Sequence, residues 1–241
     1  MGFLSITSFN IDASTVSFKD ILKTNHKLTL WRIFIIFWML FFLVTCGIWQ
    51  NLDIRYLTKQ SYLMTLLYFI LVIPLRIEKR TKTSTNTKSS ESSNCNDVPF
   101  RSKLAYIFAM IGMNSAITAT FVYWILLRKS LPYLPPLYYW WFGINPHGLS
   151  FVLIFIDVVY FTNITFSYSH CIYAIIYYVL YTLMMTFNFF LTKEWLYPVL
   201  DIYSKTAKII YPCLAISVTF IHSLLTFFCR LRRRINKSKS E

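Results

Sequence analysis

His147-Gly148-Leu149-Ser150-Phe151-Val152-Leu153-Ile154-Phe155-Ile156-Asp157 is an apolar run that opens on an imidazole and closes on a carboxylate. An apolar stretch of this kind belongs to a buried core helix or to a membrane span, and its surroundings decide which. Apolar segments of membrane length recur along the chain on both sides of it, and Asp157 is the only acidic residue in any of them. Of the 241 residues, 56% are hydrophobic and 19% aromatic, and only 14% are charged. A soluble domain would carry roughly 25% charged residues. The chain therefore reads as an all-α, polytopic membrane protein, a bundle of about six transmembrane helices.

Working outward, the spans are expected near 28–49, 58–75, 104–127, 147–166, 171–191 and 209–228. Arg32 lies near enough to the start of the first to snorkel. Prolines 132, 135 and 136 interrupt the Tyr- and Trp-rich stretch before His147, which reads as a non-helical cap at headgroup level. Asn145 and Pro146 then fit as the N-cap and first residue of a helix that begins at His147. In this reading residues 1–27 form an N-terminal segment and 28–228 the membrane domain, with a polar Ser/Thr/Asn-rich loop at 77–103. Residues 229–241 form a basic tail.

A net charge of +14 raises the question of nucleic acid, but the basic residues flank apolar segments instead of forming one patch, which excludes that partner class. The N-terminal side, the 77–103 loop with Arg76 and the tail hold 17 of the 24 lysines and arginines. The positive-inside rule puts that side, and both termini, in the cytosol. The tail ends Lys237-Ser238-Lys239-Ser240-Glu241, a dilysine arrangement that a cytosolic coat protein would read as retrieval to the endoplasmic reticulum. The plasma membrane is the alternative location. Five cysteines without paired spacing suggest neither a disulfide framework nor a zinc site, and no cofactor is expected.

This topology places Asp53, Thr58, His147 and Asp201 on the non-cytosolic face. Thr58 and His147 both open a helix there. A threonine hydroxyl needs an adjacent base to become a nucleophile, and histidine is the usual one. Free N–H groups at a helix start would stabilise an oxyanion. Asp53 and Asp201 are the candidates to orient the imidazole. Asp157 stands ten residues from His147, ~15 Å along a straight helix and about 80° off its face, so it reads as a buried carboxyl that joins helices or supports the site from a distance. His222, in mid-span six, is expected to find a hydroxyl or carbonyl partner. The plainer readings stay open: Thr58 as the N-cap of span two and His147 as an interfacial histidine.

Three landmarks occur in order: Arg55-Tyr56-Leu57-Thr58, then His147 with Asp157, then Trp195-Leu196-Tyr197-Pro198-Val199-Leu200-Asp201. The set resembles the androgen-induced membrane-protein family, which includes threonine hydrolases of fatty acid esters of hydroxy fatty acids. It is also similar to the related rolling-stone-like membrane proteins. The resemblance covers residues 28–228 and implies Thr58 and His147 as catalytic residues acting on a bilayer-borne lipid ester. Gly148 and Ile144 depart from it, standing where the family carries a threonine and often a second histidine. A non-enzymatic scaffold or receptor-like protein is the alternative, and a small transporter built on Asp157 and His222 is the third class.

Overall fold

The computed structural model describes residues 26–50, 53–73, 100–128, 135–162, 164–197, 201–205 and 207–238. These residues are mostly helical, joined by short turns, with no strand among them. Helix α1 runs His26–Gln50, α2 Leu57–Val72, and α3 Phe100–Phe121 with a π-helical extension over Val122–Leu127. Helix α4 runs without a break from Pro136–Tyr138 through π-helical Tyr139–Leu149, α-helical Ser150–Phe155 and π-helical Ile156–Phe161. Helix α5 is Cys171–Thr192, entered by a short 3-10 turn at Tyr168–His170, and α6 is Ala207–Ser238.

Five of the six, all but α2, are long and apolar enough to cross a membrane. The chain is thus a multi-pass helical membrane protein. Helix α2 has 16 residues and rises ~24 Å, against a hydrocarbon core of ~30 Å. Much of it is buried by its neighbours.

Helices α2 and α3 lie closest. The reason is a stripe of small residues on α3 (Ala105, Ala109, Gly112, Ala116 and Ala119, all on its buried side) that lets backbones approach. A Cβ added at Gly112 would stand 3.1 Å from Thr65 Oγ1 and 3.3 Å from the Thr65 backbone nitrogen. Polar groups on these faces turn inward on their own helices: Thr65 donates to the Ser61 carbonyl at 2.9 Å and Thr118 to the Asn114 carbonyl at 2.9 Å.

Several expectations are corrected. Span four does not begin at His147, because the helix already runs from Pro136, and the non-helical cap is absent over 136–142. Residues 129–134 lie outside the described set. Pro146 sits inside the helix, tolerated because the wide turns there bond five residues back, as from the Ser150 N–H to the Asn145 carbonyl; the usual clash with a carbonyl four back is thereby avoided. Helix α3 starts at Phe100, inside the expected loop, whose residues 77–99 lie outside the described set. The basic tail continues α6 as helix to Ser238, and Lys239 to Glu241 are outside that set.

Arg32 does not snorkel. It is fully buried and paired with Asp157: Nε donates to Oδ1 at 3.0 Å and Nη2 to Oδ2 at 3.0 Å, while the Tyr68 hydroxyl donates to Oδ2 at 2.6 Å. This cluster ties the beginning of α1 to the far ends of α2 and α4. The Arg232 guanidinium on α6 reaches the Tyr160 carbonyl on α4, so the start of α1 and the end of α6 lie at one end of the bundle. His222 is buried, as expected, with Nε2 2.8 Å from the Ser167 carbonyl.

Candidate functional site

The opposite end of the bundle carries the site. Helix α2 starts after an extended Tyr56 (φ −69°, ψ 131°) that caps it without a side-chain bond. Thr58 is therefore the second helical residue and not the cap, so its hydroxyl is not spent on the helix end. Three side chains pin this start from outside. The Leu57 N–H donates to the Tyr197 hydroxyl at 3.1 Å, and the Tyr181 hydroxyl donates to the Arg55 carbonyl at 3.1 Å. Arg55 binds Asp53 through both carboxylate oxygens at 2.8–3.1 Å and Asn188 Oδ1 at 2.6 Å. The landmarks Arg55–Thr58 and Trp195–Tyr197, 137 residues or more apart in sequence, thus meet through Tyr197.

His147 is held in the π-helical part of α4, about two turns beyond Tyr139. Its Nδ1 lies 3.4 Å from Thr58 Oγ1. The ring stacks on Tyr123 with centroids 3.8 Å apart and planes 7° from parallel, and the Ala119 backbone is its third neighbour. Both stacked residues lie in π-helical stretches of facing helices, a local geometry frequent at functional sites. Gly143 makes room for the stack: a Cβ there would stand 3.0 Å from the Tyr123 hydroxyl.

Thr58 and His147 open into one cavity of about 520 Å³, bounded by α2, α3, α4, α5 and α6. That volume is in the range of small-molecule sites. Its walls are apolar residues, tyrosines and threonines together with His147, and among the described residues no Lys, Arg, Asp or Glu lines it. Ile175, Val179 and Leu183 line it from α5 and are also exposed on the outer surface, at 39%, 53% and 60%. The cavity therefore opens sideways, toward lipid, between α5 and α6.

The sequence pair Thr58 and His147 is brought together; the three carboxylates are not brought to it. Asp157 is consumed by Arg32 and Tyr68. Asp53 is consumed by Arg55, whose guanidinium holds its carboxyl below the usual range. Asp201 closes a local turn, its Oδ1 accepting the Tyr203 N–H at 3.0 Å. Among the described residues no carboxylate contacts His147, and no group of three or more His, Cys, Asp or Glu is placed to hold a metal. Because His147 is not at a helix start, its backbone offers no helix-end N–H groups; those belong to α2. Sequence reasoning missed Tyr123, Tyr181 and Gly143, which carry no motif and act only through a cross-helix contact.

Comparison with protein-family models, with curated proteins and with solved structures found no match in any of the three.

Proposed function

We propose that this protein is a membrane-embedded hydrolase of fatty acid esters, with Thr58 as nucleophile and His147 as base. The observation that carries the reading is the Thr58 Oγ1–His147 Nδ1 approach of 3.4 Å at the wall of an apolar cavity open to lipid. Catalytic hydrogen bonds are often this long before substrate binds and tighten in the Michaelis complex. The meeting of the landmarks shared with the androgen-induced family at this same cavity adds to the support.

The ester reaches Thr58 from the bilayer with its acyl chain along α5 and α6. Thr58 Oγ attacks the carbonyl carbon as its proton passes to His147 Nδ1, giving a tetrahedral oxyanion. The Leu57 N–H is taken by Tyr197 and the Gln60 N–H by the Tyr56 carbonyl; the donor assigned to that oxyanion is Thr58's own backbone N–H, in the first turn of α2. The carbon–oxygen bond to the alcohol breaks, and His147 gives its proton to the leaving alkoxide. Water then attacks the acyl-threonine as His147 takes its proton, the bond between the carbonyl carbon and Thr58 Oγ breaks, His147 returns the proton to Oγ, and the free acid leaves. An imidazole N–H turned to the Ala119 backbone is what keeps Nδ1 available as acceptor, in the place a carboxylate holds in other triads.

The basic end of the bundle faces the cytosol, the catalytic end faces the lumen, and the Lys237/Lys239 signal returns the protein to the endoplasmic reticulum. The test is labelling by a lipophilic fluorophosphonate, together with acid release from lipid esters, by purified protein in detergent. Wild type should label and release acid, and Thr58→Ala and His147→Ala should do neither. Equal labelling of wild type and Thr58→Ala removes Thr58 as nucleophile.

A further inference from the structure

We infer that the cavity selects uncharged lipid esters and rejects those with a free carboxylate or phosphate inside it; this rests on the hydrolase reading. Among the described residues no charged side chain lines the cavity. Four of the wall hydroxyls already direct their protons at backbone carbonyls: Tyr178 and Thr118 at Asn114, Thr182 at Tyr178, Tyr181 at Arg55. What these groups offer a guest is oxygen lone pairs, which attract a donor and repel an anion.

The described cations at this end are turned elsewhere. Arg55 is held by Asp53 and Asn188, Lys59 lies over the Tyr56 ring at 5.9 Å, Arg128 over Tyr139 at 4.7 Å and Lys193 over Phe190 at 5.9 Å. Lys205 and Lys208 are exposed and do not line the space. An anion drawn into such a cavity loses its water and gains no countercharge from the described lining, which costs far more than burying a neutral ester; the backbone donor assigned above, the Thr58 N–H, is reserved for the reacting carbonyl. The class favoured is therefore a neutral ester such as a partial glyceride or a simple alkyl ester. A free acid at the far end of an ester-bearing chain would have to remain outside.

The experiment uses one scissile bond in two charge states: the oleoyl ester of a hydroxystearic acid, supplied as the free acid and as its methyl ester. Oleate release is measured with the purified full chain at neutral pH. Wild type is expected to show at least ~10-fold higher kcat/KM for the methyl ester. Thr182→Arg, which adds a cation at a lining position also exposed on the bundle surface, is expected to narrow that ratio. Thr58-dependent turnover of the free acid at the same rate or faster overturns the inference and leaves the hydrolase reading standing. If neither substrate is cleaved in a Thr58-dependent way, the hydrolase reading fails, and binding then decides. Diazirine-bearing oleic acid and its methyl ester are photo-crosslinked to Thr58→Ala, and capture on peptides spanning 175–185 is read by mass spectrometry. Preferential capture of the methyl ester supports the selection, and equal or greater capture of the acid overturns it.

Discussion

Replacing Asp157 by asparagine keeps the shape of the side chain and removes its charge, at a point where no other described carboxylate pairs with Arg32. All three members of the Arg32–Asp157–Tyr68 cluster are 0% exposed, and Arg32 Nη1 has no partner among the described residues. Breaking a buried pair by removing one partner costs ~3–5 kcal/mol, because the survivor is left charged and dry. At ~2–4 °C per kcal/mol for chains of this length, Asp157→Asn should lower Tm by roughly 6–20 °C, and Arg32→Met by a similar amount. Tyr68→Phe removes one hydrogen bond to a charged acceptor, about 1.5–3 kcal/mol, and leaves the pair intact. The double change Arg32→Met with Asp157→Leu exchanges two charges for apolar volume and should recover most of the loss. Thermal unfolding of the purified protein in mild detergent gives the four values. Single variants within ~0.5 kcal/mol of wild type, or a double variant as damaged as the sum of its parts, would refute the reasoning.

Tyr123→Ala should lower kcat for ester hydrolysis with little change in KM, and speed modification of His147 by diethylpyrocarbonate; Tyr123→Phe keeps the stacked ring and should do neither. Gly143→Ala should reproduce the alanine effect in part, since its Cβ would press on the Tyr123 hydroxyl at 3.0 Å and on the Tyr139 ring at 3.1 Å. Gly112→Val should destabilise by ~1–3 kcal/mol through overpacking against Thr65, read as a fall in Tm. Asp53 has its folded pKa lowered by Arg55, so its contribution is present above the unfolded value of about 3.9 and is lost as pH falls through the lower folded value. Hydrogen exchange at the Arg55 amide, which donates to Asp53 Oδ1 at 3.0 Å, should be unchanged by this ionisation between pH 5 and 8. It should be faster in Asp53→Asn throughout that window.

The membrane class and the approximate places of the six described helices were legible because span length and composition are properties of contiguous sequence. The start of α4 was not. Prolines 132, 135 and 136 read as breakers and Pro146 as the first residue of a new helix, whereas the chain uses π-helical turns that admit Pro146 and move His147 from a helix end to about two turns inside. The Thr58–His147 pairing survived that error, since counting spans places both toward the same end whichever residue begins the fourth. The Arg32–Asp157 pair was equally accessible in principle: Asp157 is the single acid of the spans and Arg32 the cation set inside α1. Snorkelling, a rule for isolated side chains, concealed it.

Thr58 and Tyr68 are ten residues apart on α2, and His147 and Asp157 are ten apart on α4. Thr58 meets His147 and Tyr68 meets Asp157. The two helices therefore run parallel and are joined at two points ~15 Å apart, one buried and paired, the other facing the cavity. The Tyr68–Asp157 bond at 2.6 Å fixes the axial register of α2 against α4, and the Thr58–His147 distance inherits it. An error of about 1 Å in placing a nucleophile can cost ~100-fold in rate, about 2.7 kcal/mol of barrier, the same order as this hydrogen bond contributes to stability. Tyr68→Phe, which leaves the Arg32–Asp157 charge pair in place, should thus depress kcat even where the loss of stability leaves the protein fully folded. At a temperature where the variant is fully folded, turnover equal to wild type would mean that the cavity walls alone hold the pair together.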